Sequence, residues 1–326
     1  MRIALLLPCH PSAMRGNWTT AARLVDGLKR SRHQLSTHQV GEELPQQCDL
    51  LIALNSTKSG PGAHQYAHAQ QIPFIILFTG TDLNGRPGNA TTVAVNAAAA
   101  LVTLGTSSAR RARDLFPDCG ERLSIIPQAV SPLPEARGAA LPEVLAELEE
   151  DTELVFMPTG LRAIKNPERA VTALAPLAQT RPQLRLWIAG EELEEGAAVS
   201  MQELCRKHPF ARWLGPIPRD QLAAFMRRAK AVISTSKSEG GPPNALLEAG
   251  LLARPLLASD IPAHREFPGG SRLFKDDRGL RRKLAAILDD PDQALLAAAS
   301  MREEVRQGFA AAREAAAWSA LVHKFV

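Results

Sequence analysis

Residues 231–250 read AVISTSKSEGGPPNALLEAG. A short apolar run with β-branched residues opens this stretch, a turn with Glu239, Gly240 and Gly241 follows, and apolar residues at helical spacing close it. A glycine-rich turn at a helix N-terminus directs unpaired backbone N–H groups and the positive end of the helix dipole to one place, where a diphosphate is favoured. The stretch therefore predicts a strand, an anion-binding turn and a helix, which is one step of a parallel α/β sheet.

The same alternation of short apolar runs and helical patterns extends over nearly the whole chain. It is typical of parallel sheets built from βαβ units, so the predicted fold class is α/β. Strands are expected at residues 3–7, 50–54, 74–78, 101–104, 124–126, 154–158, 184–189, 231–234 and 256–258. Helices are expected at residues 19–31, 107–116, 167–179, 219–229, 245–252 and 278–288.

Between residues 131 and 151 the pattern breaks into a proline-containing segment and an acidic helix. We therefore predict two Rossmann-like, doubly wound domains, residues 1–140 and 151–304, that face each other across a cleft. A closing helical segment at about residues 305–326 is expected to complete the N-terminal domain through Trp318. Ligands of doubly wound sheets bind outside the carboxyl ends of the strands, so the loops at those ends are the functional candidates.

Composition narrows the class of protein. The 326 residues are 45% hydrophobic, which is enough for two packed cores, since single cores stop growing at roughly 250–300 residues. The opening MRIALLLP reads as a strand and not as a secretory signal, and no apolar run is long enough to span a membrane. Four separated cysteines lack the spacing of a zinc site, so we expect free thiols and a cytoplasmic location. The net charge is +4, but 5% aromatic residues argue against nucleic acid as a partner.

The residues of the 231–250 stretch by themselves admit two interpretations. In the first, Ser238 or Asn244 caps the helix, and Glu239 and Glu248 are solvated side chains. In the second, the turn binds a diphosphate, and the two carboxylates accept hydrogen bonds from sugar and ribose hydroxyls. One glycine-rich turn does not decide between them.

The stretch resembles the Glu-seven residues-Glu signature of the family-four retaining glycosyltransferases, which have the GT-B fold. Here eight residues separate Glu239 from Glu248, with Pro242-Pro243 where one residue is expected. The resemblance implies that Glu239 is catalytic and binds sugar hydroxyls, and that Glu248 holds the ribose. The donor-binding residues that it implies in this half of the chain are Gly215, Ile217, Gly240, Gly241, Pro243, Asn244, Ala245, Leu246 and Glu248.

Residues 159–167, TGLRAIKNP, resemble the turn with which this superfamily grips the donor phosphates. By that resemblance Arg162 and Lys165 are catalytic, because cations aimed at phosphate oxygens stabilise the negative charge of the departing nucleotide. Otherwise they are two surface cations near a helix start, where the dipole disfavours positive charge. Residues 213–222, WLGPIPRDQL, resemble the segment whose backbone lies against the nucleotide base, although a turn with a helix cap at Asp220 would look similar.

Two loops of the N-terminal domain are expected at the carboxyl ends of strands. The first supplies Gly16 and Asn17 for the donor, and the second supplies Thr81, also for the donor, and Asp82, a catalytic residue that orients a hydroxyl. Many relatives have a histidine near Thr81, so no general base is evident here. A retaining enzyme of this class manages without one if the departing phosphate accepts the proton. His10 is the nearest spare imidazole, and a lone loop histidine is more often structural.

Three runs, Gly16-Asn17-x-x-Thr20-Ala21, Gly80-Thr81-Asp82-Leu83 and Ser238-Glu239-Gly240-Gly241, together resemble a narrow branch of the family. That branch includes the selenosugar synthase of selenoneine biosynthesis and a vertebrate glycosyltransferase 1 domain-containing protein. The resemblance implies a hexosyltransferase that uses a nucleotide diphosphate sugar, UDP-glucose or UDP-N-acetylglucosamine, and a small-molecule acceptor, without a metal or other cofactor. Selenophosphate is an alternative acceptor, which Arg15, Thr20 and Lys58 would hold. Asn55, however, stands where the selenosugar enzyme would have a histidine.

Other classes of protein also fit parts of the pattern. An epimerase or a phosphorylase would share the architecture, and a non-catalytic nucleotide-sugar binder would keep Glu248 and Lys165 while tolerating the displaced Glu239. Basic runs at residues 29–32 and 110–113 suggest an anionic membrane surface. Neither run has a hydrophobic wedge, and such runs are usually solvated helix faces.

Overall fold

The chain divides into two compact units in the computed structural model, which describes residues 1–8, 16–30, 33–134, 142–268 and 272–325. Unit 1 consists of Met1–Val130, Glu239–Pro242 and Phe309–Val326, and unit 2 of Ser131–Ser238 and Pro243–Gly308. Each unit is a six-stranded parallel sheet flanked by helices, so the α/β fold class predicted from the sequence is confirmed.

The strands of unit 1 are β1 (Arg2–Leu7), β2 (Gln34–Gln39), β3 (Leu50–Leu54), β4 (Phe74–Leu77), β5 (Ala100–Thr103) and β6 (Leu123–Ile125). They pair in the order β2-β1-β3-β4-β5-β6. The helices of unit 1 are α1 (Gly16–Lys29), α2 (Gly60–Gln70), α3 (Asn89–Ala97), α4 (Thr106–Leu115) and, from the end of the chain, α13 (Ala311–Val322). Short 3₁₀ turns lie at Thr81–Leu83, Pro117–Arg122 and His323–Phe325.

The core of unit 1 lies on both faces of its sheet. Every residue of β3 and β4 is buried, as expected for central strands of a parallel sheet that is covered on both sides. Alternate side chains enter two different clusters, because neighbouring residues of a strand point to opposite faces. Phe78 stacks on Phe116 in one cluster. Trp318 of α13, which is 1% exposed, packs with α1 in the other, and Phe325 lies at its margin.

The strands of unit 2 are β7 (Glu153–Pro158), β8 (Leu184–Ala189), β9 (Ala211–Trp213), β10 (Ala231–Ser234), β11 (Leu256–Ser259) and β12 (Leu273–Phe274). They pair in the order β12-β11-β10-β7-β8-β9. The helices of unit 2 are α5 (Glu143–Ala146), α6 (Pro167–Thr180), α7 (Ala197–Lys207), α8 (Leu222–Arg228), α9 (Asn244–Leu251), α10 (Pro262–Arg265), α11 (Asp277–Asp289) and α12 (Pro291–Gly308). Leu174, Leu186, Ile233 and Leu284 lie in the main core cluster, which joins the sheet to α6 and α11.

Each sheet contains one point where the strand order reverses. In unit 2 the chain runs outward from β7 to β8 and β9, and then returns to place β10 on the other side of β7. The loops after β7 and β10 therefore diverge and leave a crevice at the carboxyl ends of these two strands, which is where open α/β sheets bind ligands. In unit 1 the corresponding point lies between β1 and β3.

The nine predicted strands are all present, with ends shifted by a residue or so. Three strands were not predicted: β2, β9 and β12. The sequence of β2, QLSTHQ, contains one apolar residue because this strand lies at a sheet edge and is partly exposed. Helix α8 begins at Leu222 and not at Arg219, since residues 219–221 form a turn. None of the described helices is both long and apolar enough to cross a membrane.

We expect Trp318→Ala to destabilise unit 1 by about 3–5 kcal/mol, because the substitution leaves a large cavity beneath α13. Val93→Ala on α3 is the matched control, since this side chain is 45% exposed and should change stability by no more than about 0.5 kcal/mol. Urea unfolding followed by circular dichroism measures both values. A Trp318→Ala loss as small as that of the control would contradict the packing described for α13.

Candidate functional site

The turn that carries Arg162 and Lys165 follows β7 and lies against the loop that follows β10. Thr235 Oγ1 in that loop donates a hydrogen bond to the carbonyl of Asn166 at 2.7 Å. The N–H of Lys237 donates to a second carbonyl of the turn at 2.8 Å. The Nε of Arg162 is buried and has no hydrogen-bond acceptor within the described parts of the chain. The turn thus offers a guanidinium suited to a phosphate oxygen at the point where the strand order reverses.

Gly190 allows two backbone segments to approach each other at this edge of the unit 2 sheet, and Gly160 and Gly215 lie nearby in the chain segments that it joins. A Cβ at Gly190 would lie 2.1 Å from the carbonyl oxygen of Thr159. The N–H of Gly190 donates to the carbonyl of Gly215 at 2.9 Å, and Gly215 has a φ of +73°. A Cβ at Gly160 would lie 2.4 Å from the Leu193 side chain. Gly190 therefore joins the turn after β7 to the segment of Gly215, which the resemblance predicts to lie beside the nucleotide base.

Glu248 lies on α9 and is only 4% exposed. Arg219 Nη2 donates to its Oε1 at 2.5 Å, and the arginine side chain is 35% exposed. A buried carboxylate is costly unless a charged or hydrogen-bonding group compensates it. Arg219 therefore balances the charge of Glu248 and fixes the direction of its carboxylate.

The start of α9 does not match the first interpretation of this stretch. Pro243 occupies the N-cap position without a side-chain hydrogen bond, and Asn244 is the first helical residue. Ala245 follows it in the first turn, and the side chain of Leu246 is buried in the core. Asn244 and Ala245 place their backbone N–H groups at this helix N-terminus, an arrangement that favours an anion, whereas the N–H of Leu246 donates to the carbonyl of Pro243 at 3.0 Å.

The segment Glu239–Pro242, here called the glycine segment, packs as part of unit 1. A Cβ at Gly240 would lie 2.6 Å from the Cα of Gly80, and a Cβ at Gly80 would lie 2.6 Å from the nitrogen of Gly240. Gly80 has a φ of +108°, which L side chains rarely adopt. A Cβ at Gly241 would lie 3.0 Å from the Cβ of Leu104. Both Gly80 and Gly240 are thus required by a contact between two backbones.

Asp82 organises the loop that contains Gly80. Its carboxylate accepts hydrogen bonds from the backbone N–H groups of Ser56 at 2.7 Å, Thr79 at 3.0 Å and Gly80 at 2.9 Å. Burial raises the pKa of the Asp82 carboxyl above its usual value, while these N–H groups act in the opposite direction. The side chain is 8% exposed. In this structure Asp82 holds the loops after β3 and β4 together, and its contact with a substrate hydroxyl stays a prediction.

The other predicted residues of unit 1 lie near the ends of β1, β3 and β4. Asn55, with a φ of +75°, donates from Nδ2 to the hydroxyls of Thr79 and Thr81. Lys58 is exposed, and its N–H donates to Asn55 Oδ1. Gly16 and Asn17 are the first residues of α1, and Thr20 is buried on the same helix with its hydroxyl next to Arg23. Arg15 and His10 lie outside the described residues.

Three residues at the site were not singled out from the sequence. Arg219 lay inside the quoted 213–222 segment, but nothing in its spacing indicates that it pairs with Glu248. Gly80 and Gly190 each follow a predicted strand, which was the available signal. Their need for glycine arises from neighbours distant in the chain, Gly240 and Thr159.

Comparisons with known proteins identify the class of enzyme. Residues 143–304 match the family of glycosyl transferases group 1. The chain is 26% identical to glycosyltransferase 1 domain-containing protein 1 of Xenopus tropicalis over 295 residues, which cover 85% of this chain and 82% of that protein. It is 30% identical to a glycogen synthase of Mycobacterium tuberculosis over 152 residues, 44% of this chain and 36% of the synthase. Residues 143–304 thus match a glycosyltransferase family, in agreement with the enzyme class predicted from the sequence.

Solved structures share the fold of this chain. Sucrose-phosphate synthase from Thermosynechococcus elongatus has a TM-score of 0.79 at 14% identity, covering 99% of this chain and 98% of that chain. Anabaena HepE in complex with UDP has a TM-score of 0.74 at 15% identity, covering 99% of this chain and 100% of that chain. The fold is GT-B, with two Rossmann-like units.

We expect Gly80→Ala to destabilise the protein by at least about 2 kcal/mol more than Gly85→Ala. Both glycines have positive φ, +108° and +100°, so the cost of backbone strain is similar in the two variants. A Cβ at Gly85 meets nothing within 4 Å, whereas one at Gly80 collides with Gly240. Urea unfolding measures the difference. Equal losses in the two variants would show that the backbone contact between Gly80 and Gly240 does not stabilise the protein.

Proposed function

We propose that this chain, whose residues 143–304 belong to the glycosyl transferases group 1 family, transfers a hexosyl group from a UDP-sugar to a small-molecule acceptor with retention of the anomeric configuration. One observation carries the proposal. The turn with Arg162 and Lys165 is hydrogen-bonded to the loop after β10 at the strand-order reversal of unit 2. Two cations and a helix N-terminus in one crevice suit a diphosphate.

The two cations of this turn would contribute most in the transition state. As the bond between the sugar C1 and the phosphate oxygen breaks, its electron pair moves to the diphosphate, and the negative charge there grows. Lys165 and Arg162 stabilise that charge more than they stabilise the bound donor, so they raise turnover. We propose that these cations replace a metal ion as the counter-charge of the leaving group.

The nucleoside would lie next to α9. Glu248 would accept hydrogen bonds from the ribose hydroxyls, with Arg219 keeping its carboxylate in place. The backbone around Gly215 and Ile217 would line the base, since Gly190 fastens that segment to the sheet. A ribose and a base bound in this way hold the donor while the cations act on the diphosphate.

UDP is the nucleotide we propose first. Similar structures include HepE in complex with UDP-glucose and the pneumococcal O-GlcNAc transferase GtfA in complex with UDP and GlcNAc. UDP-glucose and UDP-N-acetylglucosamine are therefore the donors to test first. Glu239 would bind the sugar hydroxyls, because it begins the glycine segment.

Retention would follow from attack on the face that the diphosphate leaves. The acceptor oxygen or selenium bonds to C1 as the C1–oxygen bond to the phosphate breaks, and the acceptor proton passes to a phosphate oxygen. This route needs no side-chain base, so the positions of Lys165 and Arg162 matter more than a histidine.

Selenophosphate is a second candidate acceptor. Lys58 is exposed at the carboxyl end of β3, beside the strand-order reversal of unit 1, where a small anion would be favoured. Gly16 and Asn17 begin α1, the helix that follows β1 at this strand-order reversal. The N-terminus of that helix adds backbone N–H donors.

We place the reaction in the cytoplasm, where buried thiols such as Cys48 and Cys119 stay reduced.

Release of nucleoside diphosphate tests the proposal directly. The panel is UDP-glucose, UDP-N-acetylglucosamine, GDP-mannose and ADP-glucose, each with and without selenophosphate or thiophosphate, and with EDTA in a parallel series. We expect release with a UDP-sugar that EDTA does not reduce. Release only with selenophosphate would assign the chain to the selenosugar branch, and no release with any donor would favour a binding protein.

Two variants separate binding from turnover. We expect Lys165→Ala to lower kcat by about 10²–10³-fold with a smaller effect on UDP affinity. Glu248→Ala should instead raise the Kd for UDP about tenfold or more, because it removes charge-assisted hydrogen bonds to the ribose. Calorimetry with UDP and steady-state kinetics measure the two effects.

The controls come from the opposite end of the unit 2 sheet. Glu153 pairs with Arg181 at 2.5 Å at the amino end of β7, and Lys230 precedes β10. Glu153→Ala should lower stability without changing UDP affinity, and Lys230→Ala should change neither. Parallel losses of affinity and turnover in Lys165→Ala and Glu248→Ala would contradict the separate roles.

A further inference from the structure

A buried chain of polar side chains in unit 1 ends at the glycine segment. Glu314 of α13 accepts from Arg23 Nε of α1 at 3.2 Å. Arg23 Nη2 donates to Gln128 Oε1 at 3.4 Å, and Gln128 Nε2 donates to the carbonyl of Pro242 at 2.5 Å. Gln128 is 5% exposed, and the side chains of Arg23 and Glu314 are 11% and 6% exposed. The chain therefore links the last helix to the segment that begins with Glu239.

The chemistry of the partners fixes the orientation of the Gln128 amide. A guanidinium has only donors, so the amide oxygen must face Arg23. The carbonyl of Pro242 has only acceptor capacity, so the amide nitrogen must face the glycine segment. Glu314 in turn holds the guanidinium. Each of the three side chains has a partner in this network, although Glu314 Oε1 is buried without one in the described parts of the chain. Paired groups in a buried network hold one another in place.

The position of the accepting carbonyl is specific to this sequence. Pro242 is the first residue of Pro242-Pro243, the pair that stands where the family signature has one residue. Both proline rings fix φ, and neither residue has a backbone N–H. Gln128 therefore binds a stiff part of the segment, just after the contact between Gly240 and Gly80.

We propose that Gln128, held by Arg23 and Glu314, is a positioning residue for the glycine segment. This inference rests on the proposed function, in which Glu239 binds the donor sugar. The hydrogen-bonded side chains of Glu314, Arg23 and Gln128 then set the direction of the Glu239 carboxylate without touching the substrate. Loss of the Gln128 amide then loosens residues 239–242 and lowers kcat, while the proposed UDP contacts of unit 2 are kept.

Hydrogen–deuterium exchange of the unliganded protein tests the positioning role. In Gln128→Leu, which keeps a similar volume, we expect the Gly240 and Gly241 amides to exchange about five- to thirtyfold faster. Gln128→Glu should give the same result, because its carboxylate keeps an acceptor for Arg23 but has no donor for Pro242. Faster exchange spread equally over α1, α13 and the glycine segment would overturn the proposal.

A double variant tests the chain without leaving a buried charge. Arg23→Met with Glu314→Leu replaces an ion pair by apolar side chains, which proteins often tolerate. We expect residues 239–242 to exchange faster in this variant as well. Arg122→Leu is the control, since Arg122 binds carbonyls at the amino end of β5 and should leave exchange of the glycine segment unchanged. Unchanged exchange in the double variant would remove Arg23 and Glu314 from the proposal.

Kinetics then separates this inference from the proposed function. We expect Gln128→Leu to lower kcat about tenfold with the active UDP-sugar and to change the Kd for UDP by less than about twofold. Equal losses of kcat and UDP affinity would indicate a merely structural role. If the wild-type protein releases no nucleotide while exchange rises selectively in the variants, the proposed function fails and the positioning role stands.

Discussion

The pairing of β10 with β7 is the constraint on which the site of unit 2 depends. Because β10 returns to the side of β7 that β8 leaves open, the loops after these two strands diverge at one edge of the sheet. Thr235 then fastens the turn with Lys165 to the loop that leads to α9. The turn with the two cations and the loop that leads to α9 are thereby joined at the carboxyl ends of β7 and β10.

Much of this arrangement could be predicted from the sequence. The parts that could not be predicted have identifiable physical reasons. The all-apolar sequence of β3, LLIAL, predicts a buried central strand. The strand β2 was missed because it is a polar edge strand, and its position is set by pairing with β1. The motif indicated Glu248 as a candidate ligand-binding residue. Its partner Arg219 was not indicated, because an ion pair between residues distant in the chain leaves no local pattern.

Contacts of the neutral backbone hold the loops in position, as contacts of charged side chains do. Gly190 and Gly240 have no Cβ at the places where two segments of backbone meet. Asp82 adds a carboxylate whose work is internal, since it gathers three N–H groups of two loops. Each of these loops is held in place by close contacts or hydrogen bonds with a neighbouring segment of the chain. A short motif therefore indicates which residues would bind the ligand, but it does not indicate the residues that hold them in place.

The composition of unit 1 has a consequence for biosynthesis. Residues 1–130 leave the ribosome well before Trp318, which covers one face of their sheet and is made only after unit 2. At about 5–20 residues per second, the nascent chain exposes that apolar face for many seconds while unit 2 is made. Unit 1 is thus begun before unit 2 but is completed only after it, which departs from the usual order in which the N-terminal domain of a nascent chain folds first.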